Sequence, residues 1–343
     1  MENQNKEHKH YPIEEVKNAL ILRQERKNDH IRPLEAVNFL SDPENGDKLI
    51  FTDDDGRTRS LTPTLTGWKQ VCDNLKYGDE TSVPWHFFLN GMTSEQRKSI
   101  FDRLSKDRTE NNLIRCDADT LYGVVSPKYK PIDHDTIIPV LEGASTPIVS
   151  VSGSYVGYDH GKFRFIRESD SNNVLASTGA HGGFRTLNNK HVPLIEFNNS
   201  ENGLGSWQIR VGVYTFICRN GLIVGVKLFD KKIVHLGTQK VQVPDIDRLW
   251  DIAEGYVENL YAAESKRITQ EKKIEILLTA NKNGMTQEML DRVVVVANRE
   301  YEGANTVGGV VHAFTRAAQY YRGDDIAKRT QMEVYAGGLL LAA

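Results

Sequence analysis

The stretch SWQIRVGVYTFICRNGLIVGVKL, Ser206–Leu228, decides the fold class. Its β-branched and aromatic residues fill two runs flanking Asn220-Gly221, and that dipeptide tolerates the positive φ angles a two-residue type I′ turn needs. The reading is a β-hairpin. The same texture extends outward over residues 112–243, where Gly-rich turns recur at short intervals. Thr146–Ser169, TPIVSVSGSYVGYDHGKFRFIRES, reads as a second hairpin that turns at Asp159, His160 and Gly161.

The flanks read differently. Ile13, Val16 and Leu20 have helical spacing after Pro12, and Thr93 or Ser94 opens an amphipathic helix through Ile100, Phe101 and Leu104. Between them, Leu49–Phe51 and Thr58–Leu61 form a hairpin around the acidic turn Asp53–Gly56. Next comes a helix expected to bury Leu65, Trp68, Val71, Cys72 and Leu75. Beyond residue 245 the pattern is helical: one long or broken helix up to Gly284, a helix capped by Thr286, and one capped by Asn305 or Thr306. On this last helix Val307, Val311, Phe314, Ala318 and Tyr321 share a face. The expectation is an α+β protein whose central antiparallel, β-hairpin-rich domain (residues 111–243) is locally basic. A helical N-terminal region with a short hairpin (1–110) precedes it, and C-terminal helices packing on the sheet (244–343) follow.

Several function classes fall away. No window approaches the roughly 18 apolar residues of a membrane span, and the polar N-terminus lacks the apolar core of a secretory signal. Three cysteines, Cys72, Cys116 and Cys218, are too few and too dispersed for a disulfide framework, which fits a reducing cytoplasm. The net charge of -3 excludes a basic coat over the whole surface. Cys116 and Cys218 have no His-bearing signature beside them. His181, His191, His235 and His312 are scattered, without HxH or HExxH spacing, so neither a metal nor another cofactor is expected. The glycine clusters match no phosphate-binding loop.

What remains is a set of cations and aromatics. GKFRFIR alternates Lys162, Arg164 and Ile166 with Phe163, Phe165 and Arg167, which sets a cationic row beside an aromatic one. Rows of this kind can follow phosphates and stack bases. Arg185, Arg210, Arg219 and Lys227 add charge to the middle domain, whereas residues 245–302 are net acidic. In Ile114–Asp133, IRCDADTLYGVVSPKYKPID, the two prolines end a strand and present Lys128, Tyr129 and Lys130 on a turn.

Four segments, namely LTPTLTGWKQVCDNL, IRCDADTLYGVVSPKYKPIDHDTIIPVL, GSWQIRVGVYTFICRNGL and NTVGGVVHAFTRAAQ, resemble in order the phage/plasmid-like family of uncharacterised proteins. The resemblance covers about residues 60–320 and is sharpest at Ser126–Asp133 and Cys218–Gly221. It departs at Val307–Gly309, where the family pattern implies a large aromatic. The resemblance implies an accessory protein of a mobile element in the cytoplasm of a bacterial host.

Together these readings suggest a non-enzymatic protein that binds single-stranded DNA or RNA and assists annealing or recombination. Its contacts would come from Lys128, Tyr129, Lys130, Lys162, Phe163, Arg164, Phe165, Arg167, Arg185, Arg210, Arg219 and Lys227. The alternative is a protein-interaction module that forms a homo-oligomer or engages a host or phage partner, with Leu339, Leu340 and Leu341 as its apolar contact. A convergent cluster of His, Cys and carboxylates in a pocket would favour an enzyme instead.

Overall fold

Alternation along the strands and capping at the helix starts account for most of the elements. The computed structural model describes residues 11–42, 44–77, 81–151, 155–170, 191–215, 220–224, 231–233, 245–321 and 325–342. The N-terminal part runs β1 (Tyr11–Pro12), α1 (Ile13–Arg26), β2 (Lys27–Pro33), β3 (Asn38–Leu40), β4 (Lys48–Thr52), β5 (Thr58–Pro63) and α2 (Leu65–Asn74). After these come β6 (Lys76–Tyr77), β7 (Thr81–Ser82), α3 (Trp85–Asn90) and α4 (Ser94–Ser105). The middle comprises β8 (Asn111–Asp117), β9 (Thr120–Val125), α5 (Ile138–Glu142), β10 (Ile148–Ser150), β11 (Tyr155–Val156) and β12 (Gly161–Arg167). It continues with β13 (His191–Asn199), β14 (Trp207–Thr215), β15 (Asn220–Val224) and β16 (Lys231–Ile233). The C-terminal part is helical: α6 (Ile246–Ser265), α7 (Gln270–Lys282), α8 (Gln287–Glu300), α9 (Val307–Ala318) and α10 (Ile326–Leu341). The fold class is α+β, and among the described residues no helix is long and apolar enough to cross a membrane.

Two sheets organise the chain. One has the order β2-β8-β9-β5-β4-β3, with β5 parallel to β9 and the other neighbours antiparallel. The N-terminal region is therefore less helical than its sequence suggests: it supplies β2 to β5, and the pairing runs across residue 110 to β8 and β9. Helix α2, capped by Thr64, packs on this sheet with Trp68, Val71 and Cys72 buried. Leu65, expected inside, is 56% exposed; it lies two residues, about 200° around the helix, from Gly67, the position that sits against Leu121 of β9. Cys116 lies buried in this core, and burial pushes its thiol up to about 12, which leaves an inert core side chain.

The second sheet has the order β1-β10-β12-β13-β14-β15, with β11 also beside β12 and β16 beside β14. The hairpin of β14 and β15 is present, but Asn220 and Gly221 are strand residues facing Thr215 and Tyr214, not its turn. Cross-strand pairing thus includes the dipeptide, with Thr215 and Asn220 as the last pair. One face of this sheet buries Phe163, Phe165, Ile195, Phe197, Ile209, Val211 and Val213 against Leu249, Trp250, Ala253 and Leu260 of α6 and Phe314 of α9. The other face carries Ile166, Leu194 and Tyr214, with Val334 of α10 packed against them. The sheet is covered on both sides, and that decides which of its cations reach solvent. Leu339 and Leu340 of the C-terminal run pack into or against the core, while Leu341 is 47% exposed.

Candidate metal centre

At one end of the large sheet, β13 begins with His191 and β14 ends with Thr215, directly opposite each other in register. Cross-strand neighbours share a face, so both side chains point to the helical layer. His191 Nδ1 lies 2.9 Å from Thr215 Oγ1. The apolar stripe of α6, Leu249, Ala253 and Leu260, continues at helical spacing to Glu264 in the last turn. From the third element, α9, comes His312.

These side chains converge. Glu264 Oε1 is 3.1 Å from His191 Nε2 and 2.9 Å from His312 Nε2, and the two imidazoles stack with centroids 5.2 Å apart at 17°. Both histidines are buried, whereas the Glu264 side chain is 23% exposed. Their three ligand atoms all lie within 4.8 Å of one another. Around a tetrahedral ion bound at about 2.1 Å, donor atoms sit about 3.4 Å apart, so the spacing from Glu264 Oε1 to each imidazole nitrogen is within a few tenths of an ångström of that of metal ligands.

The outer contacts are in place as well. A ligating imidazole is normally oriented by a partner on its other nitrogen, and Thr215 Oγ1 does this for His191. The ring of Tyr301 stacks on His312 at 5.8 Å and 17°, and Tyr261 flanks His191 at 5.0 Å. Thr306 caps α9 by accepting from the Gly309 amide at 3.0 Å. Gly308 brings this helix against α6: a Cβ there would lie 2.7 Å from the Glu264 Cα. Glycine at this position, where the family resemblance implied bulk, is what lets His312 reach Glu264. The cluster opens into a cavity of about 510 Å³ that Glu300, Tyr301, Glu302 and Asn305 also line.

The residues expected to bind nucleic acid are placed otherwise. Lys162, Phe163, Arg164 and Phe165 are buried, which corrects their expected role as an exposed row. Arg164 donates to Glu196 at 2.7 Å and to Glu333 of α10 at 2.5 Å, and Lys162 lies 3.3 and 3.5 Å from the same two carboxylates. Burial would push both carboxyls up, yet Lys162 and Arg164 hold them below the usual range. Arg167 pairs with Asp170 and Glu254. Arg210 is 3.8 Å from Glu196. Tyr129 is also buried, its hydroxyl donating to the Ser200 carbonyl at 3.3 Å, whereas Lys128 and Lys130 are exposed. Arg185, Arg219 and Lys227 lie outside the described residues. Lys162, Arg164, Arg167 and Arg210 thus lie beside carboxylates and do not form the expected exposed cationic row.

The motif Ser126–Asp133 has a structural role. Arg115 is fully buried and donates to Asp133 at 2.9 Å, to Asp29 at 3.0 Å and to the Glu201 carbonyl. Glu201 in turn accepts from Lys27 at 2.5 Å and from Arg23 at 2.7 Å. This network joins the two sheets.

Sequence reading missed His191, Thr215, Glu264 and His312 as a group because they lie on four elements and no local spacing links them. The available signal was a carboxylate and an imidazole in the apolar stripes of α6 and α9.

Neither a curated protein nor a solved structure matches the chain. A family model described as a domain of unknown function, DUF932, matches residues 121–331. That span begins in β9, takes in every residue of the cluster and its cavity, and ends in α10. The chain belongs to this uncharacterised DUF932 family.

Proposed function

We propose that the protein is a metal-dependent enzyme of the hydrolytic class. A divalent transition-metal ion would be held by His191 Nε2, Glu264 and His312 Nε2. The observation that carries this reading is the convergence of these three donors at the wall of a cavity large enough for a small molecule. Two imidazoles and a carboxylate, without a thiolate, suit zinc, iron(II), manganese or nickel. Three protein ligands with a free position toward the cavity are the pattern of catalytic metals; structural sites close the fourth position with protein. A metal in such a site lowers the pKa of bound water toward about 7 and supplies hydroxide at neutral pH. The chain's own part is to fix the donors: Thr215 orients His191, and Gly308 sets the spacing between α6 and α9.

The test is turnover of chromogenic ester, amide and phosphodiester substrates by the zinc- or manganese-loaded chain. Turnover that disappears with a chelator and returns with metal supports the reading. A loaded chain inert toward all three contradicts hydrolysis.

A second reading is single-stranded nucleic-acid binding by an accessory protein of a phage or plasmid, as the family resemblance implies. It keeps one favouring observation, the exposed Lys128 and Lys130 on the turn after β9. Binding of labelled single strands should then weaken steeply with salt and fall in the Lys128→Ala, Lys130→Ala double variant. Equal binding at low and high salt would count against it.

A further inference from the structure

The lining of the cavity carries more information than its metal-binding wall. Its charged residues are all carboxylates, Glu264, Glu300 and Glu302, and no Lys or Arg lines it among the described residues. Their situations differ. Glu264 belongs to the metal cluster, and Glu300 accepts from Arg316 Nε at 2.9 Å. Glu302 is exposed, and its side chain has no ion pair or hydrogen bond among the described residues.

The backbone holds that free carboxylate at the edge of the cavity. Glu302, Gly303 and Ala304 all have positive φ, at 48°, 75° and 51°. For Glu302 and Ala304 this left-handed conformation costs roughly 1–2 kcal/mol per residue. The loop is tied down nonetheless. Lys273 Nζ donates to the Gly303 carbonyl at 2.8 Å and to Asn305 Oδ1 at 2.7 Å, and Asn305 Nδ2 donates to the Glu302 carbonyl at 2.9 Å. Lys273 keeps its charge, but these hydrogen bonds go to loop oxygens and it does not line the cavity, so the Glu302 side chain stays available.

The same cavity touches the start of α9, and a helix N-terminus would favour an anion if its amides were free. Most are taken: Val307 donates to the Lys266 carbonyl, Gly309 to Thr306 Oγ1 and Val310 to the Thr306 carbonyl. The balance at the opening therefore favours a cation over an anion.

We propose that the molecule processed at this centre carries an ammonium or similar cationic group, which Glu302 receives while the reacting group lies at the metal. This rests on reading the cluster as a metal centre. Substrates bearing a carboxylate or phosphate at the matching position are disfavoured by the same charge.

The full-length chain loaded with cobalt(II) allows a direct test with three hydroxamates of similar size. β-Alanine hydroxamate bears an ammonium group, propionohydroxamate is neutral, and succinic acid monohydroxamate bears a carboxylate. Each is titrated while the cobalt absorption bands are followed. The ammonium probe should bind at least about threefold more tightly than the neutral one, the range an exposed ion pair supplies, and the carboxylate probe most weakly. In Glu302→Gln this order should collapse while cobalt affinity is unchanged. Cobalt binding with equal affinity for all three probes, or with the order reversed, overturns the substrate inference and leaves the metal reading standing. A chain that takes up no cobalt overturns both.

Discussion

The imidazoles of His191, at the start of a strand in the large sheet, and His312, on a C-terminal helix, stack at 5.2 Å with their Nε2 atoms turned to one oxygen of Glu264. Three elements whose packing is mainly apolar thus also meet here through metal-binding atoms. Polar groups at core positions lower stability unless they are paired, and here the pairing is among the three themselves.

Thr215 should tune this site without being part of it. With Nε2 on a metal, His191 carries its proton on Nδ1 and donates it to Thr215 Oγ1; without metal the same hydroxyl can donate to Nδ1 instead. Thr215→Val removes both options. Metal affinity should fall about 10- to 100-fold, the usual effect of losing an outer-shell partner, with little change in circular dichroism, while Thr215→Ser stays near wild type. Competition titration with a chromogenic chelator reads the difference.

Gly308→Ala should separate α9 from α6. The added Cβ meets the Glu264 backbone, at 2.7 Å from its Cα, and neither helix backbone can give way locally. A loss of about 1–3 kcal/mol is expected, the typical penalty of overpacking, together with weaker metal binding. Urea unfolding and metal titration of the same variant check both.

These features show where sequence is informative and where it stops. The hairpin of β4 and β5, the cap Thr286, and the caps Thr93 and Thr306, each as one of two candidates, were legible because each signal is local. The alternation in GKFRFIR was legible too, with Lys162 and Arg164 on the face opposite Phe163 and Phe165. Its exposure was not, since the cover is a helix from the far end of the chain carrying Glu333, and the neutralising Glu196 lies opposite Arg164 on β13. The cluster was hidden for the same reason: strand order and helix packing bring His191, Glu264 and His312 together, and one sequence without its fold does not show either.

The buried charges under α10 give a stability prediction. Glu333→Ala leaves Arg164 and Lys162 in the core without one of their two carboxylates. Breaking a buried pair in this way costs about 3–5 kcal/mol, against about 0.5 kcal/mol or less for the exposed helix pair Lys98 and Asp102. Chemical denaturation of Glu333→Ala beside Asp102→Ala tests the contrast.

Acid should act through Glu201. Burial alone would raise its carboxyl, but the neighbouring His134, followed by Lys27 and Arg23, brings it down to about 2, from an ordinary value of 4.5. The folded value is the lower one, so the contribution is full above about pH 4.5 and is lost as pH falls toward 2. Its size is about 3 kcal/mol. Glu201→Gln should be less stable at pH 7 and lose less on acidification than wild type, as thermal melts across this range would show. Parallel pH profiles for the two chains would contradict this.

The most direct test of the account is calorimetric titration of the metal-free, full-length chain with zinc(II). The account predicts saturable binding of one ion per chain with release of protons, weakening on acidification as protons compete for the donors, and abolished in the His191→Ala, His312→Ala double variant. No saturable binding, or binding that survives in the double variant, would contradict it.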